Sequence, residues 1–210
     1  MIKNKKIIIF DWNGTLVNDA NIFVDVLNEL LLLRNLPTIN YKKYRELFCF
    51  PVKDFYLQLG VDVTSKAYKI LEKQFIEEYQ LRMYNANLFD DTIFILDELL
   101  KKGYQISMLS ASNQLILDKL IDYYGLKKYF NHIVGVNNFS ANGKFHKGKK
   151  LIEKEKYTVD EIIYIGDTDQ DFYVSKKLNI DCILIARGHQ SKNRLDKVTD
   201  CVINSFNDLL

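Results

Sequence analysis

Cysteine, proline and glycine are all scarce, with 3, 2 and 9 respectively in 210 residues. So few prolines and glycines exclude low-complexity linkers and collagen-like or Gly/Pro-rich disorder. Cys49, Cys182 and Cys201 are far apart and form no CxxC pair, which excludes a disulfide framework or a paired-cysteine zinc site. They suit reduced thiols in a cytoplasm, and Cys182 and Cys201, set in apolar stretches, are expected to be buried and inert. Long hydrophobic runs are also missing. Ile7-Ile8-Ile9-Phe10 is far shorter than a signal-peptide core, and the greasy segment 22–33 carries Asp25, Asn28 and Glu29. Nothing approaches the ~20 apolar residues of a membrane span. Neither sign of charge prevails, because 29 Lys and Arg face 27 Asp and Glu for a formal charge of +2. That balance gives no bulk attraction to nucleic acid or membrane surfaces, and Lys147-Gly148-Lys149-Lys150 reads as a solvated helix face. A soluble cytoplasmic protein is expected.

What is abundant is core-forming material, 48% hydrophobic and 13% aromatic. The length fits one domain, or a core carrying an inserted module. Five short apolar runs suit strands buried on both faces: 7–10, 104–109, 132–136, 162–165 and 182–186, with 201–203 a candidate edge strand. Helical patterns lie between them. Ile93, Leu96, Leu99 and Leu100 share a face before Gly103, and Ile116, Leu117, Leu120, Ile121 and Tyr124 share one before Gly125. Further helices are expected from about Lys147 and from Asp171 to Leu178. Strands alternating with helices predict an α/β fold with a doubly wound, Rossmann-like, mostly parallel sheet. From Asn18 to Tyr84 the alternation stops and only helical patterns appear, including faces built on Ile22, Val26 and Leu30 and on Ile70, Leu71 and Phe75. The expected division is an α/β core of residues 1–17 and 85–210 with an inserted all-helical unit, 18–84.

Three strand ends carry chemistry. Asp11-Trp12-Asn13-Gly14-Thr15-Leu16 follows the first run, where a carboxylate is presented beyond a strand's carboxyl end. The plainer reading is an Asn-Gly turn, with Asp11 as a turn residue. Gly166-Asp167-Thr168-Asp169-Gln170-Asp171 follows another run. Acids this close repel unless a cation gathers them, and Mg2+ suits two or three carboxylates. For Asp171, capping a helix is an equal reading. Ser110 ends the third, ahead of Ala111-Ser112-Asn113 at an expected helix start, offering a hydroxyl and backbone N–H groups to an anion or a simple cap. Lys144, expected just ahead of a helix, counts only alongside these.

Strand–Asp11-x-Asn13-Gly14-Thr15-Leu16, strand–Ser110, Lys144 and strand–Gly166-Asp167-x-x-x-Asp171 together resemble the four ordered motifs of the haloacid dehalogenase superfamily, over nearly the whole chain. The 18–84 insertion resembles that family's helical cap, and the phosphoglycolate-phosphatase-like branch is the nearest match. The resemblance implies that Asp11 is a nucleophile carrying a covalent phosphoryl group. It implies Mg2+ held by Asp11, the backbone carbonyl of Asn13, Asp167 and, in support, Asp171. It implies that Ser110, the Ala111 N–H and Lys144 (Lys147 as the fallback) bind phosphate oxygens.

The implied function is Mg2+-dependent hydrolysis of a small-molecule phosphate monoester, a phosphorylated metabolite. One departure stands out, because these phosphatases usually have Asp two residues after the nucleophile as the proton shuttle. An amide at Asn13 cannot shuttle a proton, and general acid–base catalysis is typically worth 10²–10⁴-fold. A phosphate-binding or regulatory protein is therefore the rival reading, and a sugar-phosphate mutase a less favoured one, because its proton shuttling would miss the carboxylate most. Asn13→Asp is expected to restore activity on alkyl phosphates. His132, His146 and His189 show no metal spacing. Phe48, Phe50, Val52 and Lys53 fall where related caps meet substrate, although packing within the helices explains each one alone.

Overall fold

The run Ile7–Phe10 forms strand β1, and all four side chains are fully buried in the computed structural model, which describes residues 1–64, 66–136, 141–154 and 156–209. Successive side chains on a strand point to opposite faces. Ile8 and Phe10 join one apolar cluster and Ile7 and Ile9 another. A strand covered on both faces has no position that favours a polar residue, hence the unbroken apolar run. Each isoleucine so buried contributes about 1.5–3 kcal/mol.

After β1 come β2 (Val17–Asn18), α1 (Ala20–Leu32), α2 (Tyr41–Leu47), α3 (Val52–Gln58) and α4 (Lys66–Arg82). The chain continues through β3 (Asn87–Leu88), α5 (Thr92–Lys101), β4 (Gln105–Asn113), α6 (Gln114–Tyr123) and β5 (His132–Val136). It closes with α7 (Ala141–Ile152), β6 (Ile162–Gly166), α8 (Asp169–Leu178), β7 (Asp181–Ile185), α9 (Lys192–Leu195) and β8 (Val202–Ile203). Six strands make one parallel sheet in the order β5-β4-β1-β6-β7-β8. Ile95, Leu96 and Leu99 of α5 and Leu117, Leu120 and Ile121 of α6 cover the face of Ile8 and Phe10. Leu151 of α7 and Val174 and Leu178 of α8 cover the other. The sheet is thus doubly wound. The chain steps outward from β1 through β4 and β5, then returns to β6 on the other side of β1. Such a reversal opens a crevice beyond the strands' carboxyl ends, where ligands bind in open α/β sheets.

Between β2 and β3, which pair antiparallel, helices α1 to α4 enclose an apolar cluster of their own that includes Leu27, Leu31, Tyr44, Phe55, Leu71 and Phe75. Among the described residues no helix is long and apolar enough to cross a membrane.

Several details differ from the sequence reading. The β2–β3 pair is new, since two-residue strands carry no periodicity. Strand β4 runs through Ser110 to Asn113 with a register shift after Leu109, so Ser110, Ala111 and Ser112 belong to the strand and Asn113 caps α6 by accepting from the Leu115 N–H. Helix α7 starts at Ala141, which puts Lys144 inside it. Ile70, Ile93 and Leu100 are exposed, at the edges of narrower buried stripes. Cys201, ahead of the edge strand β8, is exposed, and Cys49 and Cys182 are only partly buried.

Candidate active site

Asp11 leaves β1 with its N–H donating to the Ile165 carbonyl at 2.9 Å, so the backbone of β6 fixes where the acid points. Asp167 follows β6 and Asp171 lies in the first turn of α8. The three acids are buried, and each offers an oxygen within 4.8 Å of the others. Lys144, 2% exposed, reaches them from α7. Its ammonium donates to Asp171 Oδ1 at 2.6 Å and stands 3.1 Å from Asp11 Oδ1. That second contact is an ion pair without hydrogen-bond alignment, so Asp11 Oδ1 is buried and accepts no hydrogen bond.

The acids are not equivalent. Asp171 accepts from the Thr168 N–H (2.9 Å) and hydroxyl (2.7 Å) on one oxygen, and from Lys144 and the Tyr164 hydroxyl (3.3 Å) on the other. Both its oxygens are committed, in part to capping α8. Among the described residues Asp167 accepts from the His189 N–H (2.6 Å) and the Thr15 hydroxyl (3.2 Å), leaving lone pairs on each oxygen. Burial pushes Asp11 up to about 6, Asp171 adding to the rise and Lys144 opposing it. Burial pushes Asp167 up to about 7 against the opposing charge of His189. Three clustered carboxylates with one ammonium, and an unbonded oxygen on Asp11, are a donor set that fits a hard, oxygen-seeking divalent cation such as Mg2+. Asp11 and Asp167 fit direct contact better than Asp171.

Gly14 is what lets the loop after β1 pass so close. It adopts φ +67°, and a Cβ there would collide with the Asp167 carboxylate and the His189 ring. Asn13, its neighbour, is fixed on both polar atoms of its side chain. Its amide nitrogen donates to Asp19 Oδ2 (2.6 Å) and the Tyr79 hydroxyl (2.8 Å), and its oxygen accepts from the Ser112 hydroxyl (2.7 Å).

Asp19, Tyr79 and His189 were not singled out as functional by the sequence reading. His189 Nε2 meets Asp19 Oδ1 at 3.2 Å and Nδ1 meets the Tyr44 hydroxyl at 2.7 Å. Burial works to lower the imidazole, but the Asp19 charge and hydrogen bond overcome it and raise it to about 9. Burial likewise works to raise Asp19, but His189 and the hydrogen bonds it receives hold it below the usual range. The pair is therefore an imidazolium and a carboxylate. One signal was available, in that Arg187-Gly188-His189-Gln190 follows β7 as Asp11 follows β1. In that segment Arg187 donates to the Thr15 carbonyl (2.7 Å) and to Asp91 (2.5 Å), pinning the Asp11 loop.

Asp11, Ser110, Ala111, Lys144 and Asp167 all line a cavity of about 270 Å³, so the structure brings these expected residues together. Phe48, Phe50 and Val52 line it as well. Lys53 is exposed and absent from the lining, as is His146; Lys147 is partly buried and also outside it. His132, half-buried at the start of β5, is likewise outside.

A family model of haloacid dehalogenase-like hydrolases matches residues 8–185. A phosphoglycolate phosphatase of Aquifex aeolicus is 23% identical over 216 residues, covering 98% of this chain and 95% of that protein. A haloacid dehalogenase-like family hydrolase from Streptococcus pneumoniae superposes with a TM-score of 0.79 at 20% identity, covering 98% of this chain and 97% of that one. Protein tyrosine kinase A of Mycobacterium tuberculosis superposes at 0.80 and 16% identity, covering 99% and 97%. At such identities the structural likeness speaks for fold alone.

Proposed function

The chain belongs to the haloacid dehalogenase-like hydrolases, and from that premise we propose that it hydrolyses a small-molecule phosphate monoester with Mg2+, through an aspartyl-phosphate on Asp11. The observation that carries the reading is the Asp11 carboxylate, buried, free of hydrogen bonds on Oδ1, and facing a cavity shared with Lys144 and Ser110. The relatives named phosphoglycolate phosphatase support it.

In this reading Asp11 attacks phosphorus and the ester oxygen leaves, taking its proton from water. A second water then attacks phosphorus, freeing phosphate and restoring the carboxylate. Lys144, the Ser110 hydroxyl and the Ala111 N–H hold phosphate oxygens and offset their charge. Mg2+ would be held by Asp11, the Asn13 carbonyl and Asp167, with Asp171 in support, and would supply positive charge against the phosphate's repulsion by the acids. Residues 18–84 act as a cap over a core of 1–17 and 85–210. Asn13 favours a second reading, a phosphate-binding protein without turnover, because its amide cannot shuttle a proton.

Beryllium fluoride with Mg2+, a mimic of the phosphoryl group on a carboxylate, tests the nucleophile. It should raise the melting temperature of the wild-type protein and leave Asp11→Asn unchanged. Equal stabilisation of both, or turnover by pure Asp11→Asn, would overturn the assignment.

A further inference from the structure

We propose that the substrate's organic part is an uncharged, apolar tail of about one ring's size, and not a second acidic group. This rests on the phosphatase reading and names its substrate class. The aromatic side chains that line the cavity include Phe23, Phe48, Phe50, Phe55, Phe75 and Tyr79. Phe23 sits amid these rings, with centroids 4.6 Å from Phe75 and 5.1 Å from Tyr79.

Charge is distributed unevenly along the lining. The cationic side chains lining the cavity are Lys144 and His189, both already paired with acids, and the His189 ring stands against Phe23 and Phe48 with centroids 5.1 and 5.6 Å away. The other charged side chain among the aromatic lining residues is the acidic Glu72. Arg45, near in sequence, donates instead to the Ala186 and Gln190 carbonyls, and Lys53 is exposed.

A phosphate ester bearing a carboxylate, as phosphoglycolate does, would desolvate that carboxylate against rings and Glu72, with the nearby His189 already paired to Asp19, which is costly. An apolar tail would displace water from the same wall, which is favourable. At about 270 Å³ the cavity is close to the usual 300–1,000 Å³ of small-molecule sites, with room for a phosphate and an apolar group of a ring's size.

Benzylphosphonate and phosphonoacetate are non-hydrolysable and differ in carrying a phenyl or a carboxylate on the same carbon. Calorimetric titration of the wild-type protein with each, with Mg2+ present, should give benzylphosphonate at least a roughly tenfold tighter Kd, the low end for a filled apolar pocket. Glu72→Lys should tighten phosphonoacetate about tenfold and leave benzylphosphonate near its wild-type value. Equal or tighter wild-type binding of phosphonoacetate, no binding of either, or indifference of both ligands to Glu72→Lys would overturn the proposal. Hydrolysis of para-nitrophenyl phosphate, an aryl ester whose leaving group needs no proton donor, separates the two claims. A binding preference without any turnover defeats the phosphatase reading alone, and turnover that favours phosphoglycolate defeats the apolar tail alone.

Discussion

Asn13 has its amide oriented by its neighbours, oxygen to Ser112 and nitrogen to Asp19 and Tyr79. An aspartate there would set a carboxylate oxygen where a nitrogen now donates to a buried acid, and the two would compete for one proton. Any gain in proton transfer from Asn13→Asp therefore comes with a loss of stability. The acid in question, Asp19, is held ionised by His189, and this has a pH signature. The His189 pKa is raised on folding from 6.5 to about 9. Its contribution is thus fully present below the unfolded value and is lost as pH rises through the folded one. Asp11 and Asp167 are also raised, to about 6 and about 7, so Asp167 contributes at the lower edge of the His189 window and the upper part belongs to His189. Between about pH 7 and 9 the wild-type melting temperature should fall, by the equivalent of at most about 3 kcal/mol. His189→Asn should start lower and slope less steeply, and an equal slope in both would contradict the pairing. Asp11, Ser110 and Asp167 were legible in sequence because each pairs a reactive side chain with the end of a buried run. Asp19 and His189 were not, because 170 residues separate partners that only the fold brings to 3.2 Å.

Helix α2 is seven residues long, too short to persist alone, and its hold on the molecule is tertiary. Arg45 donates to the Ala186 and Gln190 carbonyls at 2.8 and 2.9 Å, and its own carbonyl accepts from the Ser191 N–H. Gln190 donates to the Phe48 carbonyl at 3.0 Å, tying the aromatic wall to the loop that carries His189. Hydrogen bonds to charged groups are worth about 1.5–3 kcal/mol, whereas exposed ion pairs give about 0–1 kcal/mol. Arg45→Ala should lower the melting temperature clearly and raise KM more than it lowers kcat. Arg82→Ala, which breaks the surface pairing with Glu29, should change little. Similar effects of both in unfolding and kinetic assays would contradict the clamp. Element boundaries were least legible where tertiary contact overrides propensity. Helix α7 includes Gly143 and Gly148, which weakened its start in the sequence, yet a Cβ at 148 would crowd Leu109 and Leu178 at 2.8 Å. Close approach of helix to sheet is what selects glycine there, and it is what carries Lys144 to the acids.

Over the whole molecule, the near-neutral charge conceals a concentration of buried acids at one place, the crevice where strand order reverses beside β1. The parallel sheet was legible because a strand buried on both faces leaves an unbroken apolar run. The cavity was not, because rings that make a helical cluster and rings that make a binding wall have the same sequence pattern. The central claim, that Asp11 carries the phosphoryl group, is tested most directly by trapping it. Without an acid–base carboxylate at position 13 the covalent intermediate should break down slowly and accumulate. Acid quenching during turnover of an aryl phosphate with Mg2+, followed by borohydride reduction and peptide mass spectrometry, should find homoserine at position 11. Homoserine or phosphate at another position, or steady turnover with Asp11 unmodified at every quench time, would contradict the account.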